Sequence, residues 1–131
     1  MPATERIASC ACGALKVRCG GEPNKVSLCH CLACQRRTGS THGVAAFFLR
    51  EQLSVEGEAR CYTRPSDRGF DVTFHFCPTC GSSVFWEPAR LPDRVGVAVG
   101  AFADPTFPAP SQQVYEERRH PWLTLAIGGA E

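Results

Sequence analysis

Apolar residues fall in short runs along the chain, with glycine and proline between them. Ile7–Cys10 and Leu15–Cys19 predict two short strands around the turn Ala11-Cys12-Gly13-Ala14. Gly20-Gly21-Glu22-Pro23-Asn24 is a second turn, and Lys25–Leu28 a third strand. Cys31–Arg37 has no glycine, proline or β-branched residue and is followed by Gly39, which predicts a short helix with a C-terminal stop. His42–Arg50 reads as a strand, and Leu53–Val55 and Ala59–Thr63 flank Glu56-Gly57-Glu58 as a hairpin would. Along Phe70–Phe76, the residues Phe70, Val72, Phe74 and Phe76 share one face, the mark of a half-buried strand. Ser83–Glu87 and Arg94–Phe102 are two further strands. Pro105, Pro108 and Pro110 make an irregular segment, and Gln112–Arg119 suits either a short helix or a strand. Eight or so short strands with little helix predict an all-β or mostly-β domain, while the pattern leaves the strand order open.

The chain's 131 residues make one domain's worth, read as a single domain over residues 1–131. With 14 Lys and Arg against 13 Asp and Glu, the net charge of +1 argues against nucleic-acid binding by bulk phosphate attraction and against a polybasic membrane anchor. Val95–Phe102, the longest apolar run, is too short to cross a bilayer. The N-terminal residues lack an apolar stretch of signal-peptide length, so the expectation is a soluble, cytoplasmic protein.

Nine cysteines change this otherwise ordinary picture. Their odd number, the absence of an export signal and a chain long enough to form a core all weigh against a disulfide scaffold and toward metal ligation. They form three clusters: Cys10-Ala11-Cys12-Gly13, Cys29-His30-Cys31-Leu32-Ala33-Cys34, and Cys77-Pro78-Thr79-Cys80-Gly81. The third has the form of a zinc knuckle. Two thiolates three positions apart reach one metal, the turn aims N–H groups at the first sulfur, and Gly81 permits a positive φ after the second. The first cluster resembles half of such a site, with Gly13 in the same role.

Spacing leaves three arrangements open. Cys10, Cys12, Cys77 and Cys80 can close a structural Cys₄ zinc shell, leaving Cys29, Cys31 and Cys34 as a three-ligand zinc site with an open position, the form that catalytic zinc takes. Alternatively, Cys31 and Cys34 pair with Cys77 and Cys80 as a zinc ribbon. Thirdly, Cys31 and Cys34 at a helix start form a redox dithiol, although no βαβ pattern of the thioredoxin kind surrounds them.

The three motifs, in this order, resemble the glutathione-dependent formaldehyde-activating enzyme family, which includes the centromere protein V-like proteins. The resemblance extends through Gln35-Arg36-Arg37-Thr38-Gly39 and Phe76, and more weakly through Val97–Pro105 and His120-Pro121-Trp122. It implies an Mss4-like fold of twisted β-sheets with one short helix, stabilised by zinc. It also implies the first arrangement: Cys10, Cys12, Cys77 and Cys80 as structural ligands, and Cys29, Cys31 and Cys34 as ligands of a second, labile, catalytic zinc. The implied activity is that of a carbon–sulfur lyase acting on glutathione or a related thiol–aldehyde adduct. The implied partner is a small molecule, with glutathione as co-substrate. A non-enzymatic zinc module on the same fold is the alternative, but it would not need the three-cysteine cluster.

Other residues read more plainly. Arg36, Arg37 and Arg50 are candidates to hold a substrate carboxylate. Asp67, Asp71 and Glu87 are candidate general bases by nearness to the motifs alone. His30 is a candidate donor beside the second cluster rather than a ligand, because three adjacent ligands would strain the chain. His75 is expected to face away from the core built by Phe74 and Phe76. His42 and His120 read as ordinary, and Cys19 and Cys61 as buried thiols without function. Phe47, Phe48, Phe85 and Trp86 read as core or pocket wall.

Overall fold

Alternation of side chains across extended backbone decides which residues meet, and in the computed structural model, which describes residues 4–127, it sorts the strands into two sheets. In chain order the elements are β1 (Glu5–Ser9), β2 (Lys16–Gly20), β3 (Lys25–Cys29), α1 (Leu32–Thr38), β4 (Gly43–Leu49), β5 (Leu53–Glu56), β6 (Arg60–Pro65), β7 (Asp71–Phe76), β8 (Ser83–Pro88), β9 (Arg94–Ala98) and β10 (Gln112–Val114). The small sheet has the order β1-β2-β5 and the large one β10-β3-β4-β9-β8-β7-β6. Every pairing is antiparallel except that of β10 with β3. The mostly-β expectation with one helix holds. No helix among the described residues is long and apolar enough to cross a membrane.

The large sheet has two unlike faces. On one, Ala46, Phe48, Phe85, Val95 and Val97 pack against Ala8, Leu15, Val17 and Cys19 of the small sheet and its first turn. Phe48, Leu15 and Val17 are fully buried there. Truncating an aromatic core residue such as Phe48 to alanine costs about 3–5 kcal/mol. On the other face, Val72, Phe74 and Trp86 gather a smaller cluster with Ala45, Phe70 and Ala98.

Three expectations need correction. Leu53–Val55 and Ala59–Thr63 do form strands, but β5 and β6 do not pair with each other. β5 sets Leu53 and Val55 opposite Cys19 and Val17 of β2, while β6 pairs with β7. Gly57, at φ +97°, turns the chain so tightly against the first turn that a Cβ there would stand 2.0 Å from the Ala14 carbonyl oxygen. The two strands leave this turn for different sheets. Secondly, the strand expected over Arg94–Phe102 ends at Ala98. A 3₁₀ turn over Val99–Phe102 then carries Phe102 into the core, tilted against Phe48 and stacked on Phe107. Thirdly, Gln112–Arg119 is both things in succession: β10, then a 3₁₀ turn over Glu116–Arg118. The helix lies close to its expected place, with Cys31 as N-cap and Gly39 closing it through an N–H bond to the Gln35 carbonyl.

Candidate metal centres

Cys10 and Cys12 lie in the turn between β1 and β2, and Cys77 and Cys80 in the turn after β7. Packing of the small sheet on the large one brings these turns together. The four sulfurs lie within 4.8 Å of one another, with Cys12 Sγ 3.7 Å from both Cys10 Sγ and Cys77 Sγ. Each turn aims backbone donors at its first sulfur. Leu15 N–H donates to Cys10 Sγ (3.1 Å), and the N–H groups of Thr79 and Cys80 donate to Cys77 Sγ (3.3 and 3.5 Å). Gly13 and Gly81 follow at φ +85° and +80°, a backbone that residues with a Cβ rarely adopt. Ser82 ties the turns together, its Oγ accepting from Ala11 N–H and lying 3.3 Å from Cys80 Sγ. The Ser82 hydroxyl and N–H, with further N–H help from Cys12, pull the Cys80 thiol down to about 5. This set can hold a metal ion, and no disulfide forms among its members.

The second set is local. Cys29 ends β3, Cys31 caps α1, and Cys34 sits in the first turn of the helix, its N–H donating to Cys31 Sγ (3.3 Å). The three sulfurs lie within 4.8 Å of one another and can hold a metal ion. Cys31 is the acidic member. The thiols of Cys29 and Cys34 donate to it and outweigh its burial, bringing it down to about 2. Cys29, a donor in that arrangement and partly buried, is pushed up.

His30 lies between Cys29 and Cys31 but is not part of the set. It is fully buried with Nε2 2.7 Å from Gln113 Oε1, and its N–H donates to the Val114 carbonyl. Its Nδ1 has no partner among the described residues. The parallel pairing of β10 with β3 therefore clamps the peptide that presents Cys29 and Cys31.

The three sulfurs open on a cavity of about 330 Å³ on the second face of the large sheet. Its floor is low where Gly43 and Ala45 stand in place of larger side chains. Gly96 has no room for a Cβ, which would stand 2.4 Å from Trp86 Nε1, so the indole lies directly over it. The Arg37 guanidinium stacks at 4.4 Å from the Trp86 ring centre and 5.5 Å from that of Phe74, and Arg64 covers Phe74 at 5.1 Å. Arg37 Nη2 and Cys34 Cβ both lie within 4 Å of the point where a Gly43 Cβ would stand. Arg37 thus reaches from the cysteine end across the floor. Its Nε is buried and has no hydrogen-bond partner among the described residues.

The remaining candidates separate cleanly. Of the three arginines singled out in the sequence, only Arg37 lines the cavity; Arg36 is exposed and outside it. Arg50 pairs with Glu87 and donates to the Pro92 carbonyl. Among the acids, Asp67 lines the cavity and Asp71 does not. Glu87 points to the opposite face, where it also holds His75 Nε2 at 2.6 Å. His75 does turn away from Phe74 and stacks on Phe85 at 4.4 Å. Cys19 is buried in the core, where burial pushes its thiol up to about 12, as suits an inert residue. Cys61 is exposed rather than buried, because β6 is an edge strand with one face open, and its sulfur lies 3.3 Å from His75 Nδ1. Phe48 and Phe85 are core, and Phe47 and Trp86 are cavity wall. Sequence reasoning missed Lys25, Arg64, Arg68, Arg90 and Arg94, all of which line the cavity. Only Arg64 and Arg68 carry a local signal, as cations bracketing the turn between β6 and β7.

A family model described as glutathione-dependent formaldehyde-activating enzyme matches residues 5–118. Among solved structures, the chain is similar to a Rhodobacter sphaeroides protein, with 24% identity and a TM-score of 0.57 over 72% of this chain and 85% of that one. That likeness concerns the fold. No curated protein matches the chain.

Proposed function

The chain belongs to the glutathione-dependent formaldehyde-activating enzyme family, and from that premise we propose that it is a zinc-dependent enzyme of carbon–sulfur lyase type. It makes or breaks the bond between a thiol sulfur and an aldehyde carbon. The observation that carries this reading is the opening of an incomplete three-sulfur set onto a cavity large enough for a small molecule.

Both cysteine sets fit zinc by the chemistry of their donors. All seven are thiols, and the N–H bonds to the sulfurs of Cys10, Cys31 and Cys77 favour their ionised form. Cys10, Cys12, Cys77 and Cys80 would hold a closed, structural ion. Cys29, Cys31 and Cys34 would hold a second one with a free position, where the metal supplies acidification of a substrate thiol.

The chain's own groups do the rest. Arg37 and Arg64 hold an anionic part of the substrate beside the sulfurs, Trp86 and Phe74 exclude water beneath it, and the β10 clamp on His30 keeps Cys29 and Cys31 in place. In the forward direction the substrate sulfur bonds to the carbonyl carbon, and the thiol proton ends on the carbonyl oxygen, giving a hemithioacetal. The reverse step breaks the carbon–sulfur bond and returns that proton to sulfur.

The test is adduct formation between glutathione and formaldehyde, followed by NMR with the zinc-loaded protein. Acceleration that is lost in both Cys31→Ser and Cys34→Ser, with circular dichroism unchanged, supports the proposal. Full acceleration in both variants, or none in the parent protein with glutathione and with a panel of other thiols and aldehydes, sinks it.

A further inference from the structure

Six cations line the cavity, Lys25, Arg37, Arg64, Arg68, Arg90 and Arg94, against one carboxylate, Asp67. A chain with a net charge of only +1 therefore concentrates its excess positive charge in one place. Apart from Arg94, none of these six forms an ion pair among the described residues.

The strand register separates the cations along the cavity. Lys25, Ser27 and Cys29 share one face of β3, so Lys25 lies four residues from Cys29, roughly 13 Å along the strand. Lys25 pairs with Phe47 across β4, and Phe47 pairs with Gly96, two residues from Arg94 on the same face of β9. Arg94 is held by Asn24, the neighbour of Lys25, whose Oδ1 accepts from Nη1 at 2.8 Å. With that bond made, and Asp93 no nearer than 3.8 Å, the buried Arg94 Nε remains without a hydrogen-bond partner. Arg90 stands over Phe70 at the rim. The cavity thus has a guanidinium at each end, Arg37 by the cysteines and Arg94, positioned by Asn24, far from them. Cations that line a cavity and lack carboxylate partners attract an anionic ligand group, and a guanidinium can bind a carboxylate or phosphate through two N–H groups.

We propose that Lys25, Arg90 and Arg94 form a second anion subsite, and that the thiol bound here is elongated, with its sulfur at Cys29, Cys31 and Cys34 and a terminal phosphate or carboxylate roughly 13 Å away. The inference rests on the thiol-binding reading above and adds the length and the far charge of the ligand. Glutathione, whose carboxylates lie closer to its sulfur, would engage the near end only.

The experiment uses metal-loaded protein and three probes: pantetheine, the same thiol extended by a terminal phosphate (4′-phosphopantetheine), and glutathione. Calorimetry should give at least tenfold tighter binding for phosphopantetheine than for pantetheine, a gap that shrinks as salt is raised. Lys25→Gln and Arg94→Gln should each narrow the gap, and Arg36→Gln, outside the cavity, should leave it intact. Lys25 is exposed, so its variant decides the matter if loss of the Asn24 bond unfolds the Arg94 variant. Equal affinities for the two thiols, or a gap that survives both substitutions, overturns the subsite. Cobalt in place of zinc separates the two layers of the argument. If pantetheine changes the visible spectrum but the phosphate adds nothing, the subsite fails and the thiol reading stands. If no thiol changes the spectrum, the thiol reading fails and the assignment of the far end to a thiol's tail falls with it.

Discussion

On β4, β8 and β9 the residues that meet the small sheet are Ala46, Phe48, Phe85, Val95 and Val97, whereas Ala45, Trp86, Gly96 and Ala98, between them in sequence, face the other way. The first face is filled with apolar side chains and capped by a second sheet. The second carries Ala45, Trp86 and a set of cationic side chains, and is left open as a cavity. The cysteine sets follow the same division. Cys10 and Cys77 belong to the buried core of the first face, and their set spans turns in which Cys12 and Cys77 are 65 positions apart, while Cys29, Cys31 and Cys34 lie within six residues and border the cavity. A tie between distant segments limits how far the chain can open. A local set constrains little beyond its own turn, which leaves its members available for chemistry.

The largest effect that would break this comparison comes from exchanging the roles of the two sets. On the proposed zinc reading, Cys77→Ser should prevent folding or lower the melting temperature by more than about 15 °C, because a structural zinc would contribute on the order of 10 kcal/mol and the four cysteines join turns of two sheets. Cys34→Ser should change melting by less than about 5 °C while lowering bound zinc from two per chain to one. Brief mild chelation of the parent protein should do the same, removing one zinc and leaving the far-ultraviolet circular dichroism intact. Elemental analysis and thermal melts read all three. Equal melting losses in the two variants would mean that both sets hold the fold together.

Next in size is Gly96→Ala, which tests the second face alone. Its methyl group would stand 2.4 Å from Trp86 Nε1, so the indole must rise into the cavity. The expected cost is about 1–3 kcal/mol, with a shifted tryptophan emission and weakened binding of any cavity ligand. Trp122, 69% exposed, contributes emission that stays constant. Because the β4 and β9 residues of the first face are untouched, metal content at the four-cysteine set should not change. An unchanged emission and a full complement of ligand binding would show that the floor yields without consequence.

The two faces also differ in how legible they were in the sequence. Metal geometry fixes ligand spacing tightly, so the knuckle turns at Gly13 and Gly81 stood out from the residues alone. Alternation marked Phe74 against His75 for the same reason that a strand's pleat repeats every two residues. The helix was visible because Cys31–Arg37 has nothing to oppose it and Gly39 to end it. Partner choice was not visible. Leu53–Val55 and Ala59–Thr63 look like a hairpin from nearby residues, and only the close approach of Gly57 to Ala14, forty-three positions earlier, sends them to separate sheets. The far end of the cavity was hidden for a related reason. Lys25 and Arg94 are nearly seventy residues apart, and only the register of β3, β4 and β9 makes them neighbours. Arg37 could be singled out because it lies three residues from Cys34, but nothing local distinguished it from Arg36.

The smallest expected effect sharpens the comparison from the first face, where Glu87 links Arg50 to His75 away from the cavity. Partial burial works against the Glu87 charge, but hydrogen bonds from Arg50 and His75 outweigh it and hold the carboxyl below its ordinary value of 4.5. A carboxyl lowered on folding contributes stability at pH values above its unfolded value, and that contribution is lost as pH falls toward the folded one. The side chain is about a third exposed, so water screens the pair and the expected contribution is modest, about 0.5–1 kcal/mol. Glu87→Gln should therefore be slightly less stable than the parent at pH 7, and the difference should close as pH falls below 4.5. Thermal melts across that range measure it. Because Glu87 faces away from the sulfurs, adduct formation at pH 7 should be unchanged in the same variant. A loss of turnover without a matching loss of stability would mean that the two faces communicate through β8, and that Glu87 belongs to the chemistry after all.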